Sequence, residues 1–202
     1  MYMPFWIEMT GKKVLVIGGG NVALRRAEAL ADAGASITLI APKRVEGWQM
    51  PAVSWRKRVY KEGDLNGYDL VIAATDVPEV NEAVVCEGKE NGIPVNDASK
   101  AKNGDVIFPA SIREGGFAAA LTSEGLAPFL IKRVKKDVAA VLKGYDRELL
   151  TALAAEREYI IEHFPEEKET MLKKMASLPL EELRDIIEKG KDHDLTHRLQ
   201  RE

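Results

Sequence analysis

Gly18, Gly20 and Ala23 stand at the spacing G-x-G-x-x-A within Val14-Leu15-Val16-Ile17-Gly18-Gly19-Gly20-Asn21-Val22-Ala23. The chemistry that spacing serves is the holding of a pyrophosphate. Gly18 permits a tight turn, Gly20 lets the backbone come close to the phosphates, and Ala23 is small enough for close packing of helix on strand. Asn21 and Val22 open the helix, whose unpaired N–H groups and positive dipole end would face the anion. Glycine-rich turns are common, so the glycines alone say little. Here a β-branched run enters the turn, and Ala23-Leu24-Arg25-Arg26-Ala27-Glu28-Ala29-Leu30, a strong helix former, leaves it. That context predicts a dinucleotide site.

Other residues could do chemistry, and each has a plainer use. Thr75-Asp76 follows an apolar run and could touch the dinucleotide, or cap the helix that starts near Pro78. Asp97 follows a strand-like segment, where a carboxylate could accept a proton or stabilise a developing cation. Asn-Asp pairs at strand ends also form Asx-turns. Ser123 precedes Pro128 and could equally be a turn residue or cap. Arg25 and Arg26 are expected on a solvated or interface face rather than in a phosphate clamp. The second strand ends Ile40-Ala41-Pro42-Lys43-Arg44, with no acid for a ribose hydroxyl; taken physically, Lys43 and Arg44 favour a 2′-phosphate. His163, His193 and His197 show no ligand spacing, so no metal site is expected.

The elements that must position these residues follow from pattern. Strands are expected at 36–40, at 55–60 as an exposed third strand, at 70–74 and near 94–96, with a helix over 78–90 whose apolar face includes Val80, Val84 and Val85. Alternating β and α elements of this length make a doubly wound parallel sheet. Near residue 105 the pattern changes. The runs 106–112 and 117–122, joined by Arg113-Glu114-Gly115-Gly116, predict a hairpin, and helices follow from Pro128 onward. The last of these runs from near Ser177 to Gly190, and the polar tail 191–202 is expected to fray.

The 202 residues carry a net charge of −3, with 46% hydrophobic and 30% charged residues. That balance suits a soluble globular chain and gives no sign of a nucleic-acid or membrane partner. The segment Met1–Ile7 reads as neither signal peptide nor membrane span. The single cysteine, Cys86, is expected as core filler in a cytoplasmic protein.

Taken in order, the motifs are more specific than the glycines. The leader Tyr2-Met3-Pro4-Phe5-Trp6-Ile7-Glu8-Met9 precedes the glycine turn. Ala33-Gly34-Ala35, Ala41-Pro42, Ala73-Ala74-Thr75-Asp76, Asn81, Asn96-Asp97-Ala98-Ser99-Lys100, Phe108-Pro109-Ala110 and Thr122-Ser123-Glu124-Gly125-Leu126-Ala127-Pro128 come after it. Over residues 2–135 this resembles the precorrin-2 dehydrogenase / sirohydrochlorin ferrochelatase family, also the N-terminal unit of siroheme synthase. The resemblance implies a Rossmann-type NAD-binding domain (1–112), a small α/β dimerisation region (113–145) and a helical C-terminal domain (146–202).

It further implies a homodimer that oxidises precorrin-2 to sirohydrochlorin with NAD; some members also insert ferrous iron. Asp97 falls on the family's essential aspartate, and Asn96 and Ser123 fall on its substrate side. Backbone near Pro42 and Lys43 would read the ribose of NAD. Ser123-Glu124-Gly125 stands where the family pattern has Ser-Gly-Gly, which adds a negative charge near a polycarboxylate substrate. The competing function is a non-catalytic NAD-sensing module. Such modules usually keep the acid after the second strand, which is missing here.

Overall fold

The computed structural model describes residues 2–50, 53–100, 102–189 and 194–201. The chain divides into two compact units, Met1–Phe108 and Pro109–Glu202. The first contains β1 (Lys13–Ile17), α1 (Asn21–Asp32), β2 (Ser36–Ile40), β3 (Ser54–Arg56), β4 (Leu70–Ala73), α2 (Pro78–Asn91) and β5 (Val95–Asp97). The strands form one parallel sheet in the order β3-β2-β1-β4-β5. This is the Rossmann-type α/β arrangement expected from the sequence.

Successive residues of β1 serve opposite layers, as strand geometry requires. Val14 and Val16 pack with Ala23, Leu24, Ala27 and Leu30 of α1, while Leu15 and Ile17 pack with Val84 and Val85 of α2. Burial on both faces explains why β1 and β4 are continuously apolar. Gly88 lets α2 press onto β5, since a Cβ there would overlap the Val95 side chain. The same helix face buries Glu87, whose carboxylate accepts from Tyr60 Oη, from Gly63 N at 3.0 Å and from Leu65 N at 3.1 Å, so the 60–65 loop is tied to α2.

Four local expectations change. Cys86 is exposed, because the core face of α2 runs through Asn81, Val84, Val85 and Gly88. β3 ends at Arg56, not at residue 60, because its pairing with β2 ends at Ile40↔Arg56 and Tyr60 is drawn to Glu87. Val106 and Phe108 are not part of the hairpin: Val106 N donates to Val95 O at 3.2 Å and Phe108 packs on the α1-side core. The boundary expected at 112/113 falls inside a strand of the second unit, which the contacts begin at Pro109.

In the second unit β6 (Ala110–Glu114) and β7 (Phe117–Leu121) form an antiparallel hairpin. After it come α3 (Pro128–Lys143), α4 (Arg147–His163), α5 (Lys168–Ser177), α6 (Leu180–Lys189) and α7 (Asp194–Arg201). Asp146 caps α4 by accepting from Leu149 N at 2.9 Å, and it also accepts from Arg184 of α6. The tail expected to fray is instead a helix over 194–201. Leu195 and Leu199 join Leu149, Ile160, Met171 and Leu183 in the core, and Thr196 donates from its backbone and hydroxyl to buried Glu156. The amphipathic spacing of Leu195 and Leu199 was the available signal. His193 lies outside the described residues. Among the described residues no helix is long and apolar enough to cross a membrane.

A frayed tail and a packed one differ measurably. Leu199→Ala should lower unfolding stability by about 2–5 kcal/mol in urea titration, the cost of truncating a core leucine. A loss near zero would show that α7 does not pack.

Candidate functional site

The strand registers bring four carboxyl ends into one row: Ile17 pairs with Ile40 and with Ala73, and Ala73 pairs with Asp97. The segments that follow these strands wall a cleft of about 800 Å³. This is within the range of roughly 300–1,000 Å³ common for small-molecule sites. Gly18, Gly20, Asn21, Val22, Pro42, Lys43, Thr75 and Asp76, the residues expected to bind the dinucleotide, all line it.

Each glycine of the turn has a different constraint. Gly18 adopts φ +117, and a Cβ on it would overlap the Ala74 carbonyl. A Cβ on Gly19 would overlap the Lys43 carbonyl. The Gly19 carbonyl accepts from Val45 N at 2.9 Å and from Trp48 Nε1 at 3.3 Å, which clamps the post-β2 loop to the turn. Gly20 is unlike both, since nothing lies within 4 Å of the place its Cβ would take. Protein packing does not demand glycine there, but a ligand backbone-to-phosphate approach does. The start of α1 has no side-chain cap and no acid in its first turn. Its N–H groups therefore suit an anion. The residues fit a dinucleotide pyrophosphate.

After β2, Lys43 lines the cleft wall while Arg44 turns aside onto Trp55, its guanidinium 4.3 Å from a ring centre. Trp55 Nε1 donates to Ala41 O at 2.9 Å, so the Ala41-Pro42-Lys43 backbone is held in place. Of the two basic residues that the sequence offers for a 2′-phosphate, one is diverted.

Asn81, 1% exposed on α2, ties the β4 and β5 ends together. Its Oδ1 accepts from Thr75 N at 3.1 Å and Thr75 Oγ1 at 2.8 Å, and its Nδ2 donates to Thr75 O at 3.1 Å and Ser99 Oγ at 3.3 Å. Ser99 lines the cleft and donates through Oγ to Asp97 Oδ1 at 2.7 Å. Asp97 is 1% exposed and also accepts from Ser99 N at 2.8 Å, Lys100 N at 3.0 Å and Asn103 Nδ2 at 3.4 Å. Burial pushes its pKa up, but the donors from Ser99, Lys100 and Asn103 outweigh it and hold the carboxyl below the usual aspartate range. Asp97 thus makes the Asx-turn that its position allowed. Its charge reaches the cleft wall through Ser99.

Asn96 is also 1% exposed, and its amide is committed to protein: Oδ1 accepts from Arg26 Nη1 and Nδ2 donates to Val106 O at 2.6 Å. In this structure it faces Arg26 rather than a cavity. Arg26, expected on a solvated or interface face, is half-buried because that bond and the Phe108 ring, 5.3 Å away, draw it in; Arg25 is exposed. Ser123 belongs to the second unit. Its Oγ accepts from Ala127 N at 3.1 Å, and Glu124 beside it adopts φ +50, a conformation that favours glycine. Among the described residues no group of three or more His, Cys, Asp or Glu could hold a metal.

The sequence singled out neither Ser99 nor Tyr60 as a cleft residue, and gave Asn81 no role. A polar residue on the apolar face of α2 was the signal for Asn81, whereas Tyr60 sits in a loop without any local signature.

Residues 5–110 match the model of a family described as "Putative NAD(P)-binding". The chain belongs to that NAD(P)-binding family. A siroheme synthase of Azotobacter vinelandii is 36% identical over 151 residues, covering 72% of this chain and 32% of that protein. A siroheme synthase of Pseudomonas entomophila is 34% identical over 171 residues, covering 82% and 36%. The chain thus spans about a third of the length of these relatives. A solved structure described as "SirC, precorrin-2 dehydrogenase" superposes with a TM-score of 0.70 at 27% identity, over 94% of this chain and all of that one. The resemblance to the precorrin-2 dehydrogenase / sirohydrochlorin ferrochelatase family is borne out, and the cofactor is a nicotinamide adenine dinucleotide.

Because the space at Gly20 is open, Gly20→Val should fold with near-normal thermal stability yet lose dinucleotide affinity by about tenfold or more in calorimetry. Unchanged affinity in the folded variant would remove Gly20 from the phosphate path.

Proposed function

We propose that this chain is an NAD-dependent dehydrogenase converting precorrin-2 to sirohydrochlorin in siroheme biosynthesis. The observation that carries the proposal is the meeting, in one cleft, of the open Gly20 turn with the Ala98-Ser99 edge bonded to Asp97. The SirC structure, matched over its whole length, supports the same reaction class. When bound, NAD supplies the hydride acceptor. The chain's own groups do the rest. Gly20 and the α1 N-terminus hold the pyrophosphate. The clamped Ala41-Pro42-Lys43 backbone faces the ribose without an acid side chain, and Thr75 and Asp76 line the strand-end wall.

Asp97 is the acid we assign to the chemistry. Loss of hydride leaves positive charge on the tetrapyrrole, and a ring proton must then depart to solvent water. A carboxylate held below its usual pKa is a weak proton acceptor, so Asp97 acts by its negative charge, which stabilises the developing cation. Ser123 is the substrate-side residue assigned in the second unit, and Asn96 supports Asp97 from the preceding position. Insertion of ferrous iron into the product, with the metal as substrate, is a further activity that the names of the siroheme synthases support. With one cysteine and no disulfide pair, the chain suits the cytoplasm.

Incubation of the protein with precorrin-2 and NAD should give the sirohydrochlorin spectrum, more slowly with NADP, and ferrous iron added afterwards tests chelation. Asp97→Ala should keep NAD affinity while dehydrogenation falls by ~100-fold or more, the scale for losing an electrostatic stabiliser of the transition state. Sirohydrochlorin production near the wild-type rate would leave Asp97 a turn residue. No turnover at all in the wild type, with NAD still bound, would favour the sensing module.

The second unit supports a homodimer. No residue of α3 is fully buried, and Phe129, Val134 and Val141 stand exposed on it, with Leu126 just before its start. A two-fold contact would cover such a face. Light scattering should therefore give about twice the 22.3 kDa chain mass; a monomer at micromolar concentration would refute it.

A further inference from the structure

Arg26 lies in the second turn of α1, the helix whose N-terminus faces the phosphate side of the cleft. Its Nη1 donates to Oδ1 of Asn96 on β5, while its guanidinium sits 5.3 Å from the centre of the Phe108 ring. Asn96 is 1% exposed and donates through Nδ2 to Val106 O. The next residue is Asp97, whose carboxylate closes the turn through Ser99 and Lys100. The β5 end is therefore held from both layers. Asn81 of α2 reaches Ser99 on one side, and Arg26 of α1 reaches Asn96 on the other.

We propose that Arg26 is a positioning residue that, through Asn96, fixes the Asp97 turn relative to the helix that holds the cofactor's phosphates. The role rests on the dehydrogenase reading above. A planar guanidinium can lie against Phe108 and donate in its own plane at the same time; a lysine ammonium also supplies a charge and a donor, but without the planar fit. Without that donor a buried amide oxygen is left unpaired, and the β5 end must shift to find another partner. A displacement of about 1 Å near the reacting atoms can cost up to roughly 100-fold in rate.

Arg26→Met keeps apolar bulk against Phe108 and removes the donor. Its kcat for precorrin-2 dehydrogenation should fall about tenfold or more, with KM for NAD within about twofold of wild type. Arg26→Lys, which restores one donor and the charge, should recover part of the loss. Leu30→Ala, a packing change on the same helix, is the stability control: its melting temperature should drop while kcat, measured well below that temperature, stays near wild type. Should Arg26→Met fail to fold, Arg26→Gln, polar but too short to reach Asn96, carries the same expected loss of kcat.

An Arg26 variant that behaves like Leu30→Ala, less stable but with unchanged kcat, overturns the proposal. So does a lysine no better than methionine. If the wild type converts precorrin-2 and the Arg26 variants do so equally well, this role alone falls. If the wild type binds NAD but converts nothing, the dehydrogenase reading falls and takes this role with it.

Discussion

The close approach of Gly18 to the Ala74 carbonyl is the constraint from which the site follows. β1 and β4 are neighbours in the sheet, and β1 must turn away the moment it ends. Any side chain at residue 18 would occupy the space of the Ala74 carbonyl oxygen, and φ +117 is a conformation that only glycine holds without strain. With the turn that tight, α1 begins directly at the switch point between β1 and β4, where open α/β sheets bind their ligands. The cleft is thus a product of strand order as much as of the glycines. The same row of strand ends delivers Ala41, Ala74 and Ala98 to its wall.

The β5 end shows how a short strand can carry a buried carboxylate. Three residues pair with β4, too few to fix a loop by backbone alone. The gap is made up by buried polar side chains: Asn81, Asn96 and Asp97 are each 1% exposed, and each is satisfied by named partners. Networks of this kind are costly when incomplete and rigid when complete. The Asx-turn of Asp97 and its lowered pKa have one cause. The donors that build the turn are the same ones that keep the carboxylate ionised.

The loop after β2 departs from the usual pattern, which places an acid there. Gly19 O, Trp48 and Trp55 clamp a loop whose backbone faces the cleft, and Arg44 is spent on the Trp55 ring. The clamp fixes the main chain at that edge of the cleft, where Lys43 lines the wall.

Residue order alone determined the parallel sheet, the glycine turn and the cleft residues Pro42, Lys43, Thr75 and Asp76 that follow β2 and β4. Each is encoded locally, in β-branched runs, a fixed spacing of small residues, and helix punctuation by Pro78 and Gly92. It also carried the family resemblance through the order of its motifs. Tertiary structure decided what has no local code. Val106 and Phe108 look like a strand, yet Val106 bonds to β5 and Phe108 packs on the α1-side core, and the tail over 194–201 looks polar yet buries Leu195 and Leu199. Arg26 reads as a surface charge until a residue 70 positions away supplies its acceptor. Periodicity reports which face of an element is apolar. It does not report which distant polar group will be brought against the other face, because that depends on strand order and register.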